Sequence, residues 1–348
     1  GADTGRVAKR EPGQPAARHP AGGLGHEAQG GANPIRIVRE SLLQVQPPVA
    51  ATRDVRRVRL GQGESLKLES SWIAKLYPDS ASASVAISNK PPFNVKRLVQ
   101  GLLDYPYGCL EQTASAAYPH VFIGEDEARA WGLTPRTRAE RERMIEGAVG
   151  RIAGMQKAGG GFALWGDGAQ EIWLSAYVTG FLQDARTAGF NVPDLVSRRA
   201  SDWLLAQLQQ SSANFPSLPQ NLLAQLAAGP GQRLRDNDYN LLRDSHRRFA
   251  ELANAAYVLA REQKAPLSTL RVLYDNYRDR SRSPLPLVHL GIALKLMGDE
   301  TRARSAFDEA MTRGYGIDAN RYGGYGEWLG DYGSALRDYA MSYALMMQ

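Results

Sequence analysis

The stretch Tyr105-Pro106-Tyr107-Gly108-Cys109-Leu110-Glu111-Gln112-Thr113 decides how the rest of this chain is read. It holds the only cysteine among 348 residues, with a glutamine three positions further on. If Gly108 opens a tight turn and a helix starts near Cys109, side chains at i and i+3 share one face. The Cys109 sulfur and the Gln112 carboxamide carbon then meet. Attack of the thiolate on that carbonyl, with loss of ammonia, closes a ring through an internal thioester. Such a bond survives only in a dry pocket, and Tyr105, Tyr107 and Leu110 are placed to wall off the sulfur. The plain alternative is a lone buried cysteine.

Outward from the motif, the pattern is helical on both sides. Val95, Leu98, Val99, Leu102 and Leu103 fall on one face, with Asn94 as N-cap. A second helix is expected from about Cys109 to Tyr118. Further helices are expected over 136–157, 170–188, 194–210, 221–227, 245–263, 267–278, 285–297, 301–313 and 332–347, with Gly and Pro at their ends. Gly160-Gly161-Phe162 with Trp165 precedes a helix bearing Ala176-Tyr177. Gly323-Gly324-Tyr325 with Trp328 precedes one bearing Tyr339-Ala340 at nearly the same spacing. Repeated helix hairpins with Gly-aromatic loops suggest an α/α toroid.

Before the motif the period is two. Ile35, Ile37 and Val38, then Val55, Val58 and Leu60, Leu66 and Leu68, and Ala83, Val85 and Ile87 predict four or five short strands. Residues 1–34 are rich in Gly, Ala, Pro and Arg, and read as a low-complexity tail or linker. The fold class is therefore mainly α: residues 93–348 as an α/α toroid, 35–92 as a small antiparallel β segment, and 1–34 as the tail. The last residues, Leu345 to Gln348, sit inside an apolar helical pattern without a cap. We read the chain as a piece of a larger protein, truncated within the toroid.

Composition bounds the function. The chain is 43% hydrophobic and 22% charged, which is ordinary for a globular protein. Its net charge is +6, but residues 1–60 hold ten Lys or Arg against five Asp or Glu. The excess thus lies outside the helical body, and no basic helix face with interleaved aromatics speaks for nucleic acid. One cysteine and five scattered histidines offer no metal site, and no cofactor is expected. Asp236-Asn237-Asp238 lacks the Gly and distal Glu of a calcium loop and reads as a surface turn. His246, among Arg243, Arg247 and Arg248, reads as surface too.

The 105–113 stretch resembles the thioester motif of the alpha-2-macroglobulin and complement family, Pro-Tyr-Gly-Cys-x-Glu-Gln, in its bacterial form. The resemblance implies the toroidal thioester domain of a broad-spectrum protease-trapping inhibitor. A protease cuts a bait region elsewhere in such a protein, and the exposed thioester acylates lysine amines of the attacker. It is a single-use acylating group, not an enzyme. Residues 35–92 would be the first half of the β domain into which the toroid is inserted. Gly108 and Glu111 match the motif, Glu111 to orient the loop or assist proton transfer. Tyr105 and Tyr107 match tyrosines that keep the bond locked. Phe162, Trp165, Trp173 and Tyr177 match a Gly-Gly-Phe…Trp…Trp-Leu-x-Ala-Tyr stretch that would line the pocket. Some complement members place a histidine about a hundred residues after the cysteine; here Asn214-Phe215-Pro216 stands there, which implies transfer to amines. The partners implied are target proteases and other domains of the same protein. The location implied is periplasmic, lipid-anchored to the inner membrane through a segment outside this chain.

Other readings stay open on the residues alone. A toroidal carbohydrate-active enzyme or lyase would use Glu171 and Glu327 near the Gly-aromatic loops. A cysteine-nucleophile enzyme would use His120 as base. A docking scaffold would carry no live thioester.

Overall fold

A computed structural model describes residues 26–27, 36–37, 54–74, 85, 87, 95–103, 108–210, 215–222, 236–316 and 335–347. The chain divides into two units, Gly1–Ala86 and Ile87–Gln348.

In the first unit, two-residue strands β1 (His26–Glu27) and β2 (Arg36–Ile37) pair antiparallel, His26 opposite Ile37 and Glu27 opposite Arg36. Strand β1 lies inside the segment expected to be an unstructured tail. The strands expected at Val55–Leu60 and Leu66–Leu68 do not form; between residues 54 and 74 there are only a turn and the 3₁₀ turn Ser70–Trp72. Val55, Val58, Leu60, Leu66 and Leu68 are all exposed, as are Val85 and Ile87. Alternation makes a strand only where an edge takes its hydrogen bonds and a core takes its apolar face. Among the described residues neither is supplied.

The second unit is helical. Its helices are α1 (Val95–Leu103), α2 (Leu110–Phe122), α3 (Glu125–Ala130), α4 (Arg138–Met155), α5 (Ile172–Thr187) and α6 (Asp194–Gln209). They continue as α7 (Asp236–Arg261), α8 (Leu267–Tyr277), α9 (Pro284–Leu296), α10 (Glu300–Gly316) and α11 (Ala335–Met346). Most match the expected spans within two or three residues. Two differ for a physical reason. Helix α2 runs past the expected Tyr118 to Phe122 through Pro119, which forgoes the i→i−4 bond to the Ser115 carbonyl. Helix α7 starts nine residues before the expected 245: Asp236-Asn237-Asp238 is its first turn, and Asp238 is buried. The Gly323–Trp328 loop, Asn94 and most of 221–227 lie outside the described residues.

The packing is an α/α toroid. Helices α2, α5, α7, α9 and α11 pack each on the next as an inner series. Outer helices back them: α4 lies on α2, α6 on α5 and α7, α8 and α10 on α9. Helices α5 and α9 are apolar nearly all round because both faces are covered. Helix α9 buries Leu285, Leu287, Val288, Leu290, Ala293 and Leu294, and α5 buries Ile172, Leu174, Val178, Phe181 and Leu182. One cluster of buried side chains joins α2, α4 and α5; a second joins α5 to α10.

A polar brace crosses three inner helices. Tyr118 of α2 donates to Asp184 of α5 at 2.6 Å, and Arg261 of α7 pairs with the same carboxylate at 2.5 Å. Burial, and then the Asp184 charge, pushes the Tyr118 hydroxyl far up, so it stays a donor. His246 is also interior: it is fully buried on α7 and accepts the Arg282 N–H at 3.0 Å, because α7 turns that face toward the 281–283 loop. Among the described residues no helix is long and apolar enough to cross a membrane.

Candidate functional site

Cys109 is the N-cap of α2, extended at φ −72° and ψ 166°, and Gln112 is the third residue of the helix. An N-cap side chain and the third residue's side chain bond reciprocally in a capping box, each to the other's backbone N–H. That is the arrangement here. The Cys109 side chain faces the Gln112 N–H, and Gln112 Oε1 accepts from the Cys109 N–H at 3.2 Å. Cys109 and Gln112 thus adjoin through a helix cap, each side chain toward the other's backbone N–H, rather than on a face further along the helix. Cys109 is buried, 5% exposed, and Leu110 beside it is wholly buried.

Three contacts fix this end of the helix. The Leu110 N–H donates to the Leu164 carbonyl at 2.9 Å, tying the cap to the Gly-aromatic loop. Thr113 donates through its hydroxyl and its N–H to the Cys109 carbonyl, each at 2.9 Å. Arg151, from α4, donates to the Gly108 carbonyl at 2.5 Å. A Cβ on Gly108 would lie 2.6 Å from that guanidinium. That nitrogen is the far end of an exposed side chain, which a Cβ would displace from the carbonyl.

The Gly-aromatic loop is pinned by close backbone approach. Gly160 has φ +102°, and a Cβ there would lie 2.3 Å from the Arg199 carbonyl oxygen. Phe162, which follows, is fully buried in the cluster that also holds Leu110 and Trp173. Trp165 is 65% exposed. Trp173 donates its indole N–H to Glu171.

Glu111 is half-buried and points along its own helix. Ser115 donates to it at 2.6 Å, and Tyr177 of α5 lies 2.9 Å from the Ser115 hydroxyl. Burial pushes the Tyr177 hydroxyl up to about 12, so it too acts as donor. Tyr105 and Tyr107 lie outside the described residues.

The arrangement separates the cysteine from the histidine that a Cys–His enzyme would need. His120 lies eleven positions along α2, roughly 16 Å away at 1.5 Å per residue. It is buried, and burial holds it down at about 4. Glu171 is engaged by Trp173, and Glu327 lies outside the described residues. Among the described residues no three His, Cys, Asp or Glu side chains gather as metal ligands. Sequence reasoning missed Arg151, Leu164 and Ser115. Only Ser115 carried a local signal, four residues from Glu111 on one helix.

Comparison with known proteins places this geometry. Residues 83–230 match the A-macroglobulin TED domain. An alpha-2-macroglobulin of Xylella fastidiosa is 38% identical over 272 residues, covering 78% of this chain and 15% of that protein. The native conformation of Escherichia coli alpha-2-macroglobulin, seen by cryo-EM, matches with a TM-score of 0.61 at 38% identity, over 74% of this chain and 14% of that one. Salmonella alpha-2-macroglobulin reacted with methylamine matches with a TM-score of 0.59 at 36% identity, over 74% of this chain and 15% of that one. The chain thus spans about a seventh of the length of these relatives.

Proposed function

The chain belongs to the bacterial alpha-2-macroglobulin family, whose thioester domain it carries, and from that premise we propose that Cys109 and Gln112 form an internal thioester that acylates proteases. The Cys109 thiolate bonds to Gln112 Cδ and ammonia leaves. Later a lysine amine bonds to the same carbon, the C–S bond breaks, and Cys109 is released as a thiol. Each molecule reacts once, so the domain serves an inhibitor and does not turn over. The trigger is cleavage of a bait region elsewhere in the protein, a release of stored strain by proteolysis. A lysine attacks only as the free base, a small fraction near neutral pH, and trapping compensates by raising its local concentration. The protein would work in the periplasm, held to the inner membrane by a lipid anchor outside this chain, and protect the cell from foreign proteases.

The observation that carries this reading is a buried cysteine and a glutamine set side by side in one helix cap, the carboxamide oxygen on the cysteine's own N–H. Intact mass of the full-length protein tests it. We expect a mass lower by one ammonia; methylamine then adds one methylamine to Gln112 and frees one thiol. A well-folded protein with unchanged mass and a thiol titratable from the start overturns the reading and leaves the docking scaffold.

A further inference from the structure

Acyl transfer at Gln112 passes through a tetrahedral carbon whose oxygen is negative. That oxygen is Oε1, and the donor facing it is the Cys109 N–H at 3.2 Å. Donors aimed at a developing charge supply a large share of catalysis in acyl transfer, and long ground-state contacts tighten as the charge forms. The Cys109 N–H belongs to the peptide unit whose carbonyl is that of Gly108, and Arg151 donates to that carbonyl at 2.5 Å. A cation on the oxygen of an amide draws electron density from its nitrogen and makes the N–H a stronger donor. Hydrogen bonds in such chains strengthen one another.

We infer that Arg151 is a positioning residue of the acyl transfer: its guanidinium on the Gly108 carbonyl holds and polarises the one peptide unit whose N–H receives the Gln112 oxyanion. The inference rests on the thioester reading proposed above. In the step itself the amine nitrogen bonds to Gln112 Cδ and the carbonyl π pair moves to Oε1, stabilised by the Cys109 N–H. The pair then returns, the C–S bond breaks with its electrons on sulfur, and the amine proton ends on the thiolate. Arg151 gives up no proton and touches no reacting atom.

The test uses the full-length protein and methylamine, comparing wild type with Arg151→Gln and Arg151→Lys. Arg151 is exposed, so the fold is expected to survive both changes, and circular dichroism checks that. Arg151→Gln should slow methylamine-driven thiol release roughly three- to tenfold, less than losing an oxyanion donor outright. The infrared stretch of the thioester carbonyl should move to higher wavenumber, and Arg151→Lys should recover part of both. A folded Arg151→Gln protein that never closes the thioester, rescued by lysine, also supports the inference, because closure passes through the same oxyanion; no rescue overturns it. A rate that is unchanged or faster overturns it as well, since loss of a mere latch over the motif would speed attack. These outcomes require a wild type lighter by one ammonia; a wild type without that loss overturns the thioester reading, and this inference with it.

Discussion

Helix α4 starts at Thr137, and Glu140 three residues on reaches back to the Thr137 N–H at 2.7 Å while its own N–H donates to the Thr137 hydroxyl at 3.3 Å. Helix α2, packed against it, starts at Cys109, and Gln112 reaches back to the Cys109 N–H at 3.2 Å. The backbone device is the same. Thr137 is exposed, and a hydroxyl beside a carboxylate has no reaction open to it. Cys109 is 5% exposed, and beside a carboxamide its sulfur has the reaction proposed above. A capping box sets two side chains next to each other, each on the other's backbone N–H; atom type and exclusion of water decide whether it is only a cap or can also be chemistry.

The largest test of that contrast separates cap from chemistry. Cys109→Ser keeps a preferred N-cap residue and should change stability by no more than about 1 kcal/mol in urea unfolding. Yet it should abolish methylamine uptake and the ammonia deficit in intact mass. Uptake by the serine protein would show that the reaction lies elsewhere. Next comes the residue after each cap. Leu110 is wholly buried, and Leu110→Ala should cost about 2–5 kcal/mol in the same measurement. Its counterpart Arg138 is only half-buried, so Arg138→Ala should cost clearly less; equal costs would mean that the two helix starts are equally wet.

The ordinary cap supplies the smaller effects. Thr137→Ala should cost about 1 kcal/mol and leave the methylamine rate unchanged; a changed rate would couple the two caps. The pH dependence follows from Glu140, whose carboxyl is held below its usual 4.5, first by the Thr137 N–H and then by the Thr137 hydroxyl. A depressed carboxyl contributes stability above its unfolded value and loses it as pH falls through the folded one. Glu140→Gln should therefore be less stable than wild type at pH 7, with the gap closing as pH falls below the usual 4.5 and on through the depressed folded value. A gap that persists in acid would mean that the carboxylate charge plays no part.

How much of this was legible in the sequence depends on the range of the interaction. Helices α4 to α6 and α8 to α10 announce themselves through 3.6-residue periodicity and Gly or Pro ends, which are local signals. That Cys109 and Gln112 adjoin at the start of a helix was legible because both sit within one turn. Three misreadings share a cause. The apolar alternation from Val55 to Leu68 looked like strands, but strand formation depends on a partner that the pattern does not contain. His246 and Asp238 looked like surface because their neighbours are charged, and only tertiary packing buries them. The start of α7 was hidden by Asp and Asn, which favour turns when read alone. Arg151 was invisible for a related reason: it reaches Gly108 across 43 residues of sequence, and nothing in either segment encodes the encounter.

Trp165 follows directly on Leu164, whose carbonyl accepts the first N–H of α2, and its indole is 65% exposed. The molecule therefore carries an intrinsic fluorophore one residue from the loop that holds the reactive cap. The part of the emission lost in a Trp165→Phe variant belongs to that indole among the chain's six tryptophans, and its quenching by acrylamide would follow displacement of the loop in real time with no label attached.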